Sequence, residues 1–301
     1  MMTKYLFNHI IYIMSRNIKD IAGKNISFDK FNLDEMCSHP AIVMVAKRGS
    51  GKSYVTRAIM NHYRKIPAGI VISPTDEVDP FFSEFFPDSF IFYKYDSDII
   101  EALLIRQEEI RDKKKKKKLK GKTLDDRSFI VMDDCLADAK GWINEDSIKK
   151  LLYNGRHYSI MYILTMQTPL GIPPNLRSNF DYIFLLADDN ISNLKKIWDH
   201  YAGMFPDLHS FRNVFNELTK DYGAMVILNR GTRSNFFEKI KWYKAPELKD
   251  AKVKYGCKQF RQFHKSNYEP NWKKKIAKFN FETYANKKKK SRANFKITRR
   301  D

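Results

Sequence analysis

Residues 46–53 read Ala-Lys-Arg-Gly-Ser-Gly-Lys-Ser, a spacing of glycine, lysine and hydroxyl suited to holding the phosphates of a nucleoside triphosphate. Gly49 and Gly51 let the backbone curl so that successive N–H groups converge on the β-phosphate. A helix beginning at Lys52 would add the positive end of its dipole. Lys52 is then placed to bridge the β- and γ-phosphates, and the Ser53 hydroxyl to ligate Mg²⁺. The general pattern is G-x-x-x-x-G-K-[ST]. Ala46 stands where the first glycine is usual, which is tolerable if its φ is negative. Ala46, Lys47, Arg48, Gly49, Ser50, Gly51, Lys52 and Ser53 together form the expected binding loop for ATP and Mg²⁺.

Such a loop needs a second carboxylate on a neighbouring strand to hold the metal. Residues 129–134 read FIVMDD, four apolar residues followed by two acids at the strand's C-terminal end, where ligands gather in open α/β sheets. Asp133 is expected to hold Mg²⁺ through its water shell. Asp134 is expected to polarise the attacking water. Water activation favours hydrolysis over transfer to a small acceptor. Gln167 follows the apolar run IMYILTM and is placed to contact the γ-phosphate and report its loss. Arg156 in NGRH and Arg177 in PPNLRS are two candidates for a charge-stabilising arginine supplied by an adjacent subunit. Their surroundings in the sequence do not choose between them, and each equally suits a surface salt bridge. The expected catalytic set is thus Lys52, Asp134 and Gln167, with Arg156 or Arg177.

The elements that must position these groups follow from hydrophobic periodicity. Residues 41–46, 69–73, 128–132, 160–166, 182–187 and 224–228 are short apolar runs that read as buried strands. Residues 89–93 form a short strand, and 236–243, whose alternation is mixed with charge, an edge strand. Helical spacing covers 52–65, 98–111, 145–158, 192–201 and 208–218. Alternating strands and helices predict an α/β fold with a mostly parallel central sheet covered on both faces. The chain divides into an N-terminal extension (1–39), a core (40–244) and a basic C-terminal appendage or tail (245–301).

Charge is concentrated rather than spread. The 301 residues include 55 Lys and Arg against 35 Asp and Glu, a net of +20. Residues 111–122 carry nine bases and one acid, and residues 273–301 carry twelve bases and two acids. The excess therefore belongs to one insert and one tail, and it points to a nucleic-acid partner. The lysine run 113–118 is placed either to line a DNA channel or to bind DNA loosely outside it; six flexible lysines make a poor lever, which favours the second. Three separated cysteines with no CxxC pair argue against a disulfide framework or a zinc site and fit a reducing compartment. The apolar stretch 5–14 is too short to span a bilayer. Met14 is an alternative start.

The order strand–AxxxxGKS–helix, an acid pair after four apolar residues, NGRH, a strand ending in TMQT and a downstream LRSN resembles a known family. It is similar to the genome-packaging ATPases of nucleocytoplasmic large DNA viruses, the poxvirus-type branch of the FtsK/HerA superfamily, and to those of virophages. The resemblance covers roughly residues 40–230. The P-loop and acid motifs are generic; GRH followed by a strand ending in Gln is the specific part. The resemblance implies a P-loop NTPase with a RecA-like ASCE core and with Asp134 on the strand next to the P-loop strand. It also implies assembly into a homo-oligomeric ring and ATP-driven movement of double-stranded DNA into a capsid. Capsid or portal-vertex proteins would be further partners, and the host cytoplasm (the viral factory) and the virion the places of action. Departures are Ala46, the 113–118 lysine run and the long basic tail. Competing readings are a P-loop kinase of a nucleotide or small substrate, a helicase of the same superfamily, and a basic nucleic-acid-binding protein with a vestigial P-loop. A kinase would need an Arg-rich lid, which neither NGRH nor TPLGIPPNLRSN resembles.

Overall fold

The computed structural model describes residues 27–135, 143–231, 236–247 and 253–272. Along the chain, β1 (Ala41–Val45), α1 (Lys52–His62), β2 (Ala68–Ile72) and β3 (Ile91–Phe92) lead into α2 (Ser97–Lys118) and β4 (Ser128–Asp133). There follow α3 (Asp146–Asn154), β5 (Ile160–Met166), α4 (Pro174–Arg177), β6 (Tyr182–Leu186), α5 (Ile191–Tyr201) and α6 (Leu208–Leu218). The chain continues through β7 (Gly223–Leu228), α7 (Phe236–Lys239), β8 (Ile240–Lys244) and α8 (Lys258–Asn267). All residues of β1, β4, β5, β6 and β7 are buried, as strands covered on both faces must be.

These strands form one sheet in the order β3-β2-β4-β5-β1-β6-β7-β8. Pairing is parallel from β3 to β6 and antiparallel for β6–β7 and β7–β8. The fold is thus α/β with a mostly parallel sheet, as the alternation of apolar runs and helices predicts. Successive residues of a strand point to opposite faces. Val43 and Val45 join the layer built with α2, α3, α5 and α6, whereas Ile42 and Met44 pack with α1, Phe31 and Phe260 of α8.

One expectation is corrected by the strand order. The strand bearing Asp133 and Asp134 does not lie next to the P-loop strand, because β5 separates them: β1 pairs with β5 and β6, and β4 with β2 and β5. The crossover after β4 places β5 in the slot beside β1. The acids still reach the P-loop because Asp133 lies in register with Thr165, a small residue over which a long lysine side chain can pass.

Other boundaries differ as well. The helix expected over 98–111 continues to Lys118, so the lysine run is helical rather than a flexible insert. Lysine is a good helix former, and its charge suits a helix C-terminus. The edge strand begins at Ile240, not Phe236; residues Phe236–Lys239 form a helical turn that sets Phe236 against Phe205, ring centroids 4.8 Å apart. Beyond the expected core, α8 stacks Phe260 on Phe90 at 4.0 Å. On the N-terminal side, Phe31 is 1% exposed and packs against Tyr182, Phe184 and Tyr243.

Candidate active site

The P-loop is the turn from β1 into α1. Gly49 and Gly51 hold φ of 79° and 95°, the left-handed region that a side chain resists. Helices α2, α5 and α6 begin with Asp96, Asn190 and Asp207, whose side chains accept from first-turn N–H groups; α1 begins at Gly51 with no side-chain cap. Its first N–H groups thus have no side-chain partner from the cap residue, an arrangement that suits a phosphate at a helix start. Ala46 is buried, donates its N–H to the Met166 carbonyl at 2.9 Å, and is absent from the described non-glycine residues with positive φ. Its methyl group is thus accommodated where the family pattern has glycine. The Ser50 hydroxyl donates to the Lys47 carbonyl at 2.6 Å, and the Lys47 ammonium pairs with Asp189 at 2.5 Å, tying the loop to the turn after β6.

Opposite the loop, the acid pair is held from three strands. Asp133, 5% exposed, accepts from the Thr165 hydroxyl at 2.6 Å and from the Ser73 hydroxyl at 3.4 Å. Asp134 adopts a φ of 49°, and its N–H donates to the Thr165 hydroxyl at 3.2 Å. This left-handed turn, unusual for a residue other than glycine, lifts the Asp134 carboxylate out of the strand toward α1. The Lys52 ammonium lies 3.3 Å from Asp133 Oδ1 and in contact with Asp134 Oδ2. The Gln167 side-chain amide donates to Asp134 Oδ2 at 2.9 Å, while Asp134 Oδ1 is buried and, among the described residues, accepts no hydrogen bond. Just beyond the pair, burial and the neighbouring Asp133 and Asp134 push the Cys135 thiol up to about 12, so it stays neutral beside the acids.

Lys52, Asp133, Asp134 and Gln167 are therefore brought together as the motif spacing predicts. The sequence reading missed Thr165 and Ser73, which orient Asp133. The only local sign of Thr165 is a hydroxyl in an otherwise apolar strand, buried completely. The oxygen donors suit Mg²⁺: the buried Asp133 carboxylate, with that of Asp134 beside it, and Ser53 in the first turn of α1. Among the described residues no three His, Cys, Asp or Glu side chains gather as a complete metal cage. Phosphate oxygens and water would complete the shell, which is how Mg²⁺ is usually held.

Arg156 is not at this end of the sheet. Arg156 donates at 2.8 Å to Asp181, which is 3% exposed and accepts the N–H of Ala41 at 2.9 Å. Ala41 opens β1, so Arg156 sits at the strand-start end, about 16 Å from the P-loop at strand rise. There it lines a cavity of about 340 Å³ with His157, Asn179 and Arg230. The Arg177 guanidinium donates to the carbonyls of Ile172 at 2.8 Å and His200 at 3.4 Å and lies over the Tyr201 ring at 5.4 Å. Neither has a hydrogen bond or ion pair to Lys52, Asp133 or Asp134 among the described residues.

A P-loop at the end of a central parallel strand, with an acid pair two strands away, defines a P-loop ATPase. Residues 27–238 match the family described as Poxvirus A32 protein, and the chain belongs to that family. Protein L437 of Acanthamoeba polyphaga mimivirus is 46% identical over 243 residues, 81% of this chain and 84% of that one. Protein 075L of Invertebrate iridescent virus 6 is 32% identical over 237 residues, 77% and 88% of the two chains. Among solved structures, the genome packaging NTPase B204 from Sulfolobus turreted icosahedral virus 2, in complex with ATP-gammaS, is 17% identical. It aligns over 69% of this chain and 98% of that one, with a TM-score of 0.46. The pCW3 conjugation coupling protein TcpA is 14% identical, over 69% of this chain and 60% of that one, with a TM-score of 0.47. Among the described residues no helix is long and apolar enough to cross a membrane.

Proposed function

We propose that the chain is a motor that packages a viral genome into its capsid, moving double-stranded DNA by hydrolysing ATP at the subunit interfaces of a homo-oligomeric ring. The observation that carries the hydrolytic part is the asymmetric setting of Asp134. Gln167 and Lys52 hold Oδ2, and the unpartnered Oδ1 is left to take the proton of an attacking water. Lys52 would exchange the two carboxylates for the β- and γ-phosphates when ATP binds. Mg²⁺, held by Ser53 and Asp133, would supply charge neutralisation at those phosphates.

Charge stabilisation of the transferring phosphoryl group is assigned to an arginine from a neighbouring subunit. Arg177 is the better placed of the two, since its hydrogen-bond partners are carbonyls. Freeing Arg156 would strand the buried Asp181 carboxylate, a costly change.

The DNA-binding part rests on the end of α2. Lys113–Lys118 are exposed, and Lys114 anchors the helix through Asp126 at 2.7 Å, two residues before β4. Lys116, Lys117, Lys118, Lys120 and Lys122 have no carboxylate partner among the described residues. They crowd one end of the molecule with positive charge that a phosphate backbone would neutralise. Capsid or portal-vertex proteins as further partners, and the viral factory and virion as places of action, belong to the same proposal.

The test is the steady-state ATPase rate with and without linear double-stranded DNA at low salt. Stimulation that fades as salt rises is expected. An active ATPase indifferent to DNA at every salt concentration would refute the motor.

A further inference from the structure

We propose that Tyr222 is the stacking platform for the nucleotide's base, a reading that rests on the P-loop being the triphosphate site. Tyr222 lies immediately before β7 and is 68% exposed. A Cβ built on Gly51 would sit 3.4 Å from its Cβ and Cδ1, so the tyrosine stands against the P-loop itself.

The backbone is contorted to put it there. Asp221 and Tyr222 hold φ of 51° and 63°, consecutive left-handed residues that are costly without glycine. The next residue, Gly223, has no room for a side chain, since its Cβ would lie 2.4 Å from the Leu218 carbonyl oxygen. An aromatic ring set on a strained turn beside a phosphate loop, yet largely open to solvent, gains little as a packing element.

The direction of the bound nucleotide follows from the sheet. Asp133, Asp134 and Gln167 belong to β4, β5 and the turns that follow them, on one side of β1; β6 and β7 lie on the other. The γ-phosphate must face the acids and Lys52. The nucleoside therefore leads away across the start of α1, toward β6 and β7. Leu185 pairs with Val45, and Leu186 with Ala224, which brings the residues just before β7 level with the P-loop at that side. Tyr54, the other exposed aromatic near the loop, leans the opposite way, its ring 6.3 Å from Phe81 after β2. Tyr222 is the aromatic on the nucleoside's path, and stacking there would hold any purine by its face rather than by its edge.

The experiment compares Mg²⁺-dependent binding of ATP and of inorganic tripolyphosphate by the whole chain and by Tyr222→Ala and Tyr222→Phe. Tyr222→Ala is expected to weaken ATP by about 5- to 150-fold, the measured range for losing one stacked base, and to leave tripolyphosphate unchanged. Tyr222→Phe should retain ATP affinity. Equal weakening of both probes would show that the ring only supports the loop, and an unchanged ATP affinity in Tyr222→Ala would remove its role; either overturns the proposal. Failure of the unaltered chain to bind either probe would overturn the triphosphate site and Tyr222's part in it together.

Discussion

At the scale of single residues, the proposed hydrolysis turns on how Asp134 is held. Its Oδ2 receives the Gln167 amide at 2.9 Å, so in the proposed mechanism Gln167 would orient the base as well as contact the γ-phosphate. Hydrogen bonds to a charged group are worth about 1.5–3 kcal/mol. Gln167→Ala is therefore expected to lower kcat by about 10- to 150-fold through misorientation of the base, with little change in KM. A rise in KM at constant kcat would show instead that Gln167 only binds substrate. The P-loop and the acid pair were legible because their chemistry is written in contiguous residues. Thr165 and Ser73 were not: their hydroxyls meet Asp133 only through the register of β2, β4 and β5, which local sequence does not carry.

Among the elements, the strands were legible because each is buried on both faces and so uniformly apolar, and the helices because one side of each is not. What could not be read was adjacency, since nothing local to β4 records that β5 will separate it from β1. The resemblance supplied the core but misplaced the neighbour. Residues before β1 also contribute more than their composition suggests. The Phe31 N–H donates to the Trp242 carbonyl at 2.7 Å, and the Trp242 N–H donates to the Asp29 carbonyl at 3.0 Å. The Phe31 ring is sealed among aromatic side chains of β6 and β8. Phe31→Ala is expected to cost about 3–5 kcal/mol, as buried Phe truncations do. Denaturant unfolding measures it, and a loss within about 0.5 kcal/mol, the level of surface substitutions, would mean this segment is peripheral to the cooperative core.

At the scale of the whole molecule, and among the described residues, the nucleotide chemistry and the lysine cluster occupy different ends: the acids and P-loop where the parallel strands finish, the lysine-rich end of α2 and Arg156 where they begin. The charge cluster was plain in the sequence, whereas its rigid helical form was not, because propensity alone does not show where a long helix stops. Replacing Lys116, Lys117 and Lys118 by Gln is expected to weaken double-stranded DNA binding and to flatten its dependence on salt. The logarithmic slope should fall by about 0.9 for each phosphate that is no longer neutralised. ATPase activity without DNA should not change. An unaltered slope would place the DNA-binding surface elsewhere, on Arg156, Arg230 or the basic tail.

The central claim is that this chain hydrolyses ATP with Asp134 as the base, and Asp134→Asn tests it most directly. The substitution keeps the side chain's shape and removes its ability to accept a proton. Mg²⁺-ATP should still bind with unaltered affinity while turnover falls by about 10²- to 10⁴-fold, the worth of a positioned general base. Turnover that survives within a few-fold of the unaltered chain would contradict the account.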